Sequence, residues 1–134
     1  MKKIEFNTDG GARGNPGPAG IGVVIKNDHG LIVANLKEFI GEATNNVAEY
    51  KALIKGLTEA KKMEATHLQI NMDSELVVKQ MQGKYKIKEP ALQLLAKEVF
   101  VLLGSFESVV FTHVRREFNK DADRLVNEAI DAAL

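Results

Sequence analysis

The sequence predicts an α/β fold in which a five-stranded mixed sheet, three antiparallel strands followed by two parallel ones, carries helices on both faces. First, residues 3–40 contain three β-branched runs separated by turn residues, which is typical of an antiparallel meander. Second, residues 44–130 follow the order helix, strand, helix, helix, strand, helix. Strand–helix–strand connections favour parallel pairing with right-handed crossovers, so the last two strands should extend the sheet in parallel.

Composition indicates one globular domain, which we assign to residues 1–134. The formal net charge is zero, which argues against binding nucleic acid through a global positive field but allows a local basic patch. The absence of cysteine excludes disulfides, thiolate catalysis and cysteine-based metal sites. No signal peptide follows Met1 and no apolar run has membrane-spanning length, so we expect a cytoplasmic protein without membrane contact. We also expect a monomer.

The first strand places Ile4 and Phe6 on one face and carries Asp9 at its far end. A stretch rich in glycine and proline follows, and the second strand is expected to begin only near Ala19. That leaves a connection of about ten residues, where a hairpin needs two to five. So long a loop with so few side chains suits a place where something large approaches the backbone, although Asp-Gly is also an ordinary turn signal. Residues 31–40 form the third strand.

The first helix is predicted from Thr44 onward, because capping residues precede apolar residues spaced three and four apart through residues 47–60. Glu49 lies three residues after Asn46 and could therefore be the acidic member of a capping box. Taken alone, that structural role is the expected one. The position of Glu49 near a helix start becomes important only together with the other acids described below.

Residues 66–72 alternate in polarity as a fourth strand and lead directly into a second helix. Asp73 and Ser74 stand at this junction, where either could simply be the N-cap of the helix. Gly83 is expected to end the second helix, and Pro90 to open a third. If the first and fourth strands are neighbours, Asp73 meets the acid at the end of the first strand.

Basic and apolar residues alternate between the second and third helices, at Lys84, Lys86 and Lys88. Such lysines are either a solvated edge that discourages aggregation or a contact to backbone phosphates, and both alternatives stay open. Residues 106–114 form the fifth strand, and Asn119 is expected to cap the last helix.

Four acids then share one property, since Asp9 and Asp73 follow strands while Glu49 and Asp123 lie near helix starts. In an open sheet of this type, sites form at the carboxyl ends of strands where the connections change direction. A cluster of like charges there is unfavourable unless cations neutralise it. Oxygen-only ligands favour Mg²⁺ or Mn²⁺, and two such ions can clamp the attacking water and the leaving oxygen of a phosphodiester.

Four segments, TDGGARGNPGPAGIG, TNNVAEYKAL, MDSELVVKQM and FNKDADRLVNEA, occur in an order and spacing that resemble the type 1 ribonucleases H. The resemblance covers nearly the whole chain and implies the ribonuclease H-like fold. It also implies a metal-dependent endonuclease that hydrolyses the RNA strand of RNA–DNA hybrids, leaving 3′-hydroxyl and 5′-phosphate ends. By the same resemblance Asp9 bridges two ions, Glu49 and Asp73 hold one of them, and Asp123 holds the other.

The resemblance further implies which residues contact the hybrid. Asn15, Asn45 and Asn46 are expected in the minor groove, where short polar groups can reach the 2′-hydroxyls that distinguish RNA from DNA. Thr44 is expected to help hold a DNA phosphate, and Ser74 to support the turn at Asp73. The complete expected substrate-binding set is Gly11, Arg13, Asn15, Thr44, Asn45, Asn46, Ser74, Lys84, Lys86 and Lys88.

This sequence departs from the family pattern in three places. The loop before the last carboxylate is short, so we expect Arg116 to assist catalysis and His113 to be structural. Glu75 replaces a glutamine that often touches substrate, and an acid there should weaken phosphate binding. The basic helical protrusion of larger members is missing, and lysines including Lys79 and Lys84 would replace it only in part. Weak, salt-sensitive substrate binding is the expected consequence.

Two other functions remain open at this point. One is a catalytically weak nucleic-acid-binding module that keeps the fold; the departure at Glu75 and the short loop favour it, and retention of all four acids weighs against it. The other is a two-metal enzyme that acts on a different phosphodiester, such as duplex RNA or DNA.

Overall fold

The computed structural model describes all 134 residues. Five strands form a single sheet in the order β3-β2-β1-β4-β5, which confirms the predicted mixed sheet. Its elements are β1 (Lys3–Ala12), β2 (Gly17–Lys26), β3 (Ile32–Ala43), α1 (Asn45–Lys62), β4 (His67–Met72), α2 (Glu75–Met81), α3 (Pro90–Leu103), β5 (Ser108–His113), a short 3-10 turn (Arg116–Phe118) and α4 (Lys120–Ala133). None of the helices has the length and apolar character needed to cross a membrane.

The central strand β1 determines where the site forms. It pairs antiparallel with β2 and parallel with β4, and β4 in turn pairs parallel with β5. The parallel register of β1 and β4 ends at the pair Thr8 and Met72. Asp9 and Asp73 are the next residues along the two strands, so they lie side by side where this pairing ends. The condition stated from the sequence, that the first and fourth strands are neighbours, is therefore met.

The helices cover both faces of the sheet, as predicted. On one face, α1, α2 and α3 close the main core, which includes Phe6 of β1 and Tyr50, Leu53 and Leu57 of α1, all fully buried. On the other face α4 packs over the antiparallel half of the sheet. There Ala122 and Leu125 form a smaller cluster with Val24 of β2. Successive residues of β2 contribute to the two cores on opposite faces of the sheet, because side chains alternate along a strand.

The connection between β1 and β2 is shorter than predicted. β1 continues to Ala12 and β2 starts at Gly17, so residues 13–16 alone form the loop and the expected long loop was wrong. Two glycines of these strands, Gly10 and Gly22, lie where helices approach the backbone closely. A Cβ on Gly22 would lie 2.8 Å from the Cβ of Leu125 on α4. The large object that needs a backbone without side chains is, at these positions, the protein's own helices.

Candidate metal centre and nucleic-acid interface

Three carboxylates meet at the carboxyl end of the parallel strands. Asp9, Glu49 and Asp73 each offer one carboxylate oxygen, and these oxygens all lie within 4.8 Å of one another. Asp9 is 8% exposed and Glu49 is 6% exposed, whereas Asp73 is half-buried. Asp9 comes from β1 just past its pairing with β4, Asp73 follows β4, and Glu49 lies in the first turns of α1. The fold thus collects acids that are distant in the chain.

The backbone of Gly10 joins two of these acids. Its N–H lies 3.0 Å from Asp9 Oδ1 and also donates to Glu49 Oε1. Glu49 is therefore turned inward onto β1 and is not the partner of a capping box; that expected structural role was wrong. The cap of α1 is Thr44, whose hydroxyl accepts from the Val47 N–H at 3.2 Å. The helix start and the inward acid are separate features of the same segment.

Asn119 holds the third acid. Its Nδ2 donates to Asp73 Oδ2 at 3.1 Å and to the Thr8 carbonyl at 2.9 Å, while its Oδ1 accepts from Asn7 Nδ2 at 3.0 Å. Asn119 is 1% exposed and its side chain makes no capping hydrogen bond to α4, so the expected capping role of this side chain was wrong. Sequence reasoning missed this function because a buried asparagine before a helix looks the same as a cap in the sequence.

Burial and mutual repulsion make the cluster reluctant to ionise. Desolvation, and after it the charge of Asp73, raises the pKa of Asp9 to about 7. Desolvation and the charge of Asp9 raise the pKa of Glu49 well above its usual range. Asp123 also raises the pKa of Asp9 but is not among the causes acting on Glu49. The pKa of Asp9 is thus affected by all three of the other acids.

All four carboxylates open into one cleft of about 460 Å³. Asp123, in the first turn of α4, is exposed and lies outside the group of three mutually close oxygens. A set of oxygen donors without cysteine or histidine suits hard divalent cations, and neutralisation by such ions would remove the repulsion that raises these pKa values. The donor chemistry of the cleft therefore fits the metal that the sequence predicted.

Five of the ten expected substrate-binding residues also line this cleft, namely Gly11, Arg13, Asn45, Asn46 and Ser74. Asn15 lies in the β1–β2 loop, and its Oδ1 accepts from the Asn45 N–H at 3.0 Å. Asn45 Oδ1 in turn accepts from the Ala12 N–H at 2.9 Å. These two hydrogen bonds join the loop to the start of α1, so the loop and the helix form one rim of the cleft.

The three lysines of the expected substrate-binding set lie away from the cleft. Lys84, Lys86 and Lys88 are exposed on the segment between α2 and α3 and do not line the cleft. Ser74 caps α2, since its Oγ accepts from the Val77 N–H at 3.3 Å. The capping alternative is therefore correct for Ser74, and this contact coexists with its position in the cleft.

Arg116 lines the cleft from the 3-10 turn, whereas His113 ends β5 outside it. The geometry brings the arginine, not the histidine, to the acids, and a catalytic role for Arg116 stays a prediction. Glu75 forms an ion pair with Lys79, with Nζ and Oε1 3.0 Å apart, and this hydrogen bond lowers the pKa of Glu75. Its charge is thus partly compensated within α2. Sequence reasoning also missed Asn127, which lines the cleft one helical turn after Asp123.

Comparison with known proteins agrees with this geometry. The family model described as reverse transcriptase-like matches residues 7–129. A bifunctional protein of Mycobacterium tuberculosis is 48% identical over 132 residues, covering 98% of this chain and 36% of that protein. Ribonuclease HI of Halobacterium salinarum is 43% identical over 131 residues, covering 98% of this chain and 66% of that protein. The chain thus spans little more than a third of the length of its mycobacterial relatives.

Solved structures give the same result. The N-terminal RNase H domain of the Mycobacterium tuberculosis protein superposes with a TM-score of 0.96 at 46% identity, covering 99% of this chain and 96% of that one. LC11-RNase H1, solved in complex with an RNA/DNA hybrid, gives a TM-score of 0.93 at 48% identity, covering 97% of this chain and 98% of that one. With its five-stranded mixed sheet and acidic cleft, the chain belongs to the type 1 ribonuclease H family.

Proposed function

We propose that this protein is an endonuclease that hydrolyses the RNA strand of RNA–DNA hybrids with two divalent cations, Mg²⁺ or Mn²⁺. The observation that carries the proposal is the convergence of Asp9, Glu49 and Asp73 within 4.8 Å at the base of a cleft that Asp123 also lines. So many acids at one place are tolerated only where cations compensate them. That a similar protein, LC11-RNase H1, was solved with an RNA/DNA hybrid supports the choice of substrate.

The arrangement suggests how the carboxylates divide the ions. All four acids line one cleft, and by resemblance to the family Asp9 would contact both ions, with Glu49 and Asp73 holding one and Asp123 the other. When bound, the ions supply Lewis-acid stabilisation of charge on the phosphate that is cut. The protein contributes the geometry, because Gly10 and Asn119 fix the carboxylates before any ion arrives. Hydrolysis in this way needs no covalent nucleophile from the chain and would leave 3′-hydroxyl and 5′-phosphate ends.

Recognition of the hybrid would use the joined rim of the cleft. Asn15 and Asn45 both use their side-chain oxygens within the protein, which leaves two amide NH₂ groups as donors for substrate. Donors on an exposed rim suit the 2′-hydroxyls of the RNA strand, which distinguish a hybrid from duplex DNA. Arg116 supplies a positive charge at the same cleft, where it would contact phosphate oxygens of the strand being cut.

The test is cleavage of a hybrid labelled on its RNA strand, in Mg²⁺ and in Mn²⁺. Asp73→Asn and Asp123→Asn should each lower the rate at least about a hundredfold, since each removes a carboxylate that would hold the cations, and the cations stabilise the negative charge of the transition state. Asp121→Asn is the matched control, because this acid is exposed, is close to Asp123 on α4 and does not line the cleft. An intact hybrid in both metals, or an Asp73→Asn variant that cuts as fast as the parent, would refute the proposal.

The binding-module alternative loses much of its motivation in the structure. It depended on Glu75 and on the short loop before Asp123, and Lys79 pairs with the charge of Glu75. Tight hybrid binding without cleavage, unaffected by Asp9→Asn, would nevertheless establish it. Parallel assays on duplex RNA and duplex DNA separate a hybrid-specific enzyme from one that acts on another phosphodiester.

A further inference from the structure

The lysine segment, residues 82–88 between α2 and α3, has no regular secondary structure and carries Lys84, Lys86 and Lys88. Its exposed residues have little packing to hold them. At its start, the N–H groups of Lys84 and Tyr85 donate to the Lys79 carbonyl at 2.9 and 3.2 Å. These local bonds extend the end of α2 but do not determine where the rest of the segment lies. Contacts from elsewhere must do so.

The side chain of Ile87 packs against the main core, and a buried glutamine supplies a hydrogen bond beside it. Gln80 is only 6% exposed, and its Nε2 donates to the Lys86 carbonyl at 3.2 Å. Its other atom, Oε1, accepts from the Tyr50 hydroxyl at 2.6 Å. Gln93 makes a second, exposed contact, with Nε2 2.9 Å from the Ile87 carbonyl. The lysine segment is therefore anchored through a buried amide to the interior of the protein.

Tyr50 connects this anchor to the acidic cleft. It is fully buried and is the residue directly after Glu49 in α1. The hydrogen bond from its hydroxyl to Gln80 Oε1 joins α1 to α2. Because the Lys86 carbonyl can only accept, the Gln80 amide has one orientation that satisfies both partners. One continuous chain of hydrogen bonds thus runs from α1, beside Glu49, to the backbone between Lys84 and Lys88.

We propose that Tyr50 and Gln80 are positioning residues. They hold the lysine segment, which would bind phosphates of the hybrid, at a fixed distance from the carboxylates of the acidic cleft. The inference rests on the proposed function, since it assumes that the lysines bind the hybrid. Phosphate contacts position a nucleic acid without reading its sequence, so their contribution to binding depends on where the lysines lie. Losing the anchor should weaken hybrid binding and flatten its salt dependence, while the carboxylates keep their chemistry.

Tyr50→Phe tests this directly because it removes one oxygen and leaves the ring in place. We expect KM for the hybrid to rise about three- to tenfold while kcat stays within about twofold. In metal-free protein, fluorescence anisotropy should show weaker hybrid binding, with the slope of log affinity against log salt reduced by about one. Hydrogen exchange should be faster in residues 84–88 than in the parent. Leu57→Val is the matched control, since this buried residue lies on the same helix and does not touch Gln80.

The double variant Tyr50→Phe/Gln80→Met separates positioning from simple loss of stability. Tyr50→Phe alone leaves a buried acceptor without its donor, whereas the double variant removes both polar groups and should recover the parent's melting temperature. Hybrid affinity should nevertheless remain low, because Gln80→Met removes the Nε2 that donates to the Lys86 carbonyl. Recovery of affinity together with stability would overturn the inference. An unchanged KM in Tyr50→Phe, measured where the parent protein cuts the hybrid, would also overturn the inference. A parent protein that fails to cut the hybrid would instead refute the proposed function.

Discussion

Gly10→Ala should inactivate this protein by moving α1, although the glycine has no side chain that could take part in chemistry. Gly10 lies where α1 crosses β1, and its N–H holds the carboxylates of Asp9 and Glu49. A Cβ at this position would lie 2.6 Å from the Glu49 nitrogen and closer still to the Ala48 carbonyl. Both neighbours are backbone atoms, so no side chain can rotate away and the helix itself must shift.

The size of the effect follows from these distances. Ordinary contact begins at 3.4 Å, so the gap between Gly10 and α1 must open by about 0.8 Å to clear the Glu49 nitrogen and by more to clear the Ala48 carbonyl. Overpacking of this kind costs about 1–3 kcal/mol, which for a chain of this length lowers the melting temperature by roughly 5–10 °C. The same shift carries Glu49 away from Asp9. A misplacement of about 1 Å at a reacting centre can cost about a hundredfold in rate.

The measurement is kcat on a labelled hybrid at a temperature where the variant is folded, with thermal unfolding recorded in parallel. Gly11→Ala is the stability control, because a Cβ there would meet only Val126 Cγ1, at 3.8 Å. We expect Gly11→Ala to melt near the parent and Gly10→Ala to melt well below it. Parent-like activity and stability in Gly10→Ala would show that α1 does not lie against β1 as described, and would refute the reasoning.

Three further predictions concern the site and its support. Burial raises the pKa of Asp9 from 3.8 to about 7. Between about pH 4 and pH 7 the folded metal-free protein therefore holds a proton that the unfolded chain has released. The free energy of unfolding of the metal-free protein should fall as pH rises through this range. Melting temperatures in EDTA at pH 5 and pH 8 check this, Mg²⁺ should restore stability at pH 8, and equal values would contradict it. Asn119→Ala should raise the metal concentration needed for half-maximal activity about tenfold or more, because Asp73 loses its donor; an unchanged metal titration would exclude that role. Gly56→Ala should destabilise the protein by about 1–3 kcal/mol without changing kcat in the folded enzyme, since its Cβ would lie 2.5 Å from the Phe6 ring in the main core, and denaturant unfolding measures the loss.

Much of the site was predictable because it follows from local rules. Hydrophobic periodicity located each strand and helix, and the crossover rule favoured parallel pairing for strands joined by helices. Asp9 and Asp73 were expected to meet if the first and fourth strands were neighbours, and the structure supplied that condition. The contact that turns Glu49 inward could not be predicted in this way, because a glutamate three residues after Asn46 satisfies the capping rule equally well. Only the packing of α1 against β1 distinguishes the two roles.

The amino-acid sequence by itself determined the order of the elements, the sheet type and the four acids at their ends, since each of these depends on residues close together in the chain. The tertiary structure decided which contacts those acids make, that the β1–β2 connection is short, and that Asn119 and Gln80 work as buried anchors. The physical reason is that a glycine, an asparagine or a glutamine has several local roles of similar free energy. Packing between segments distant in sequence selects one of them.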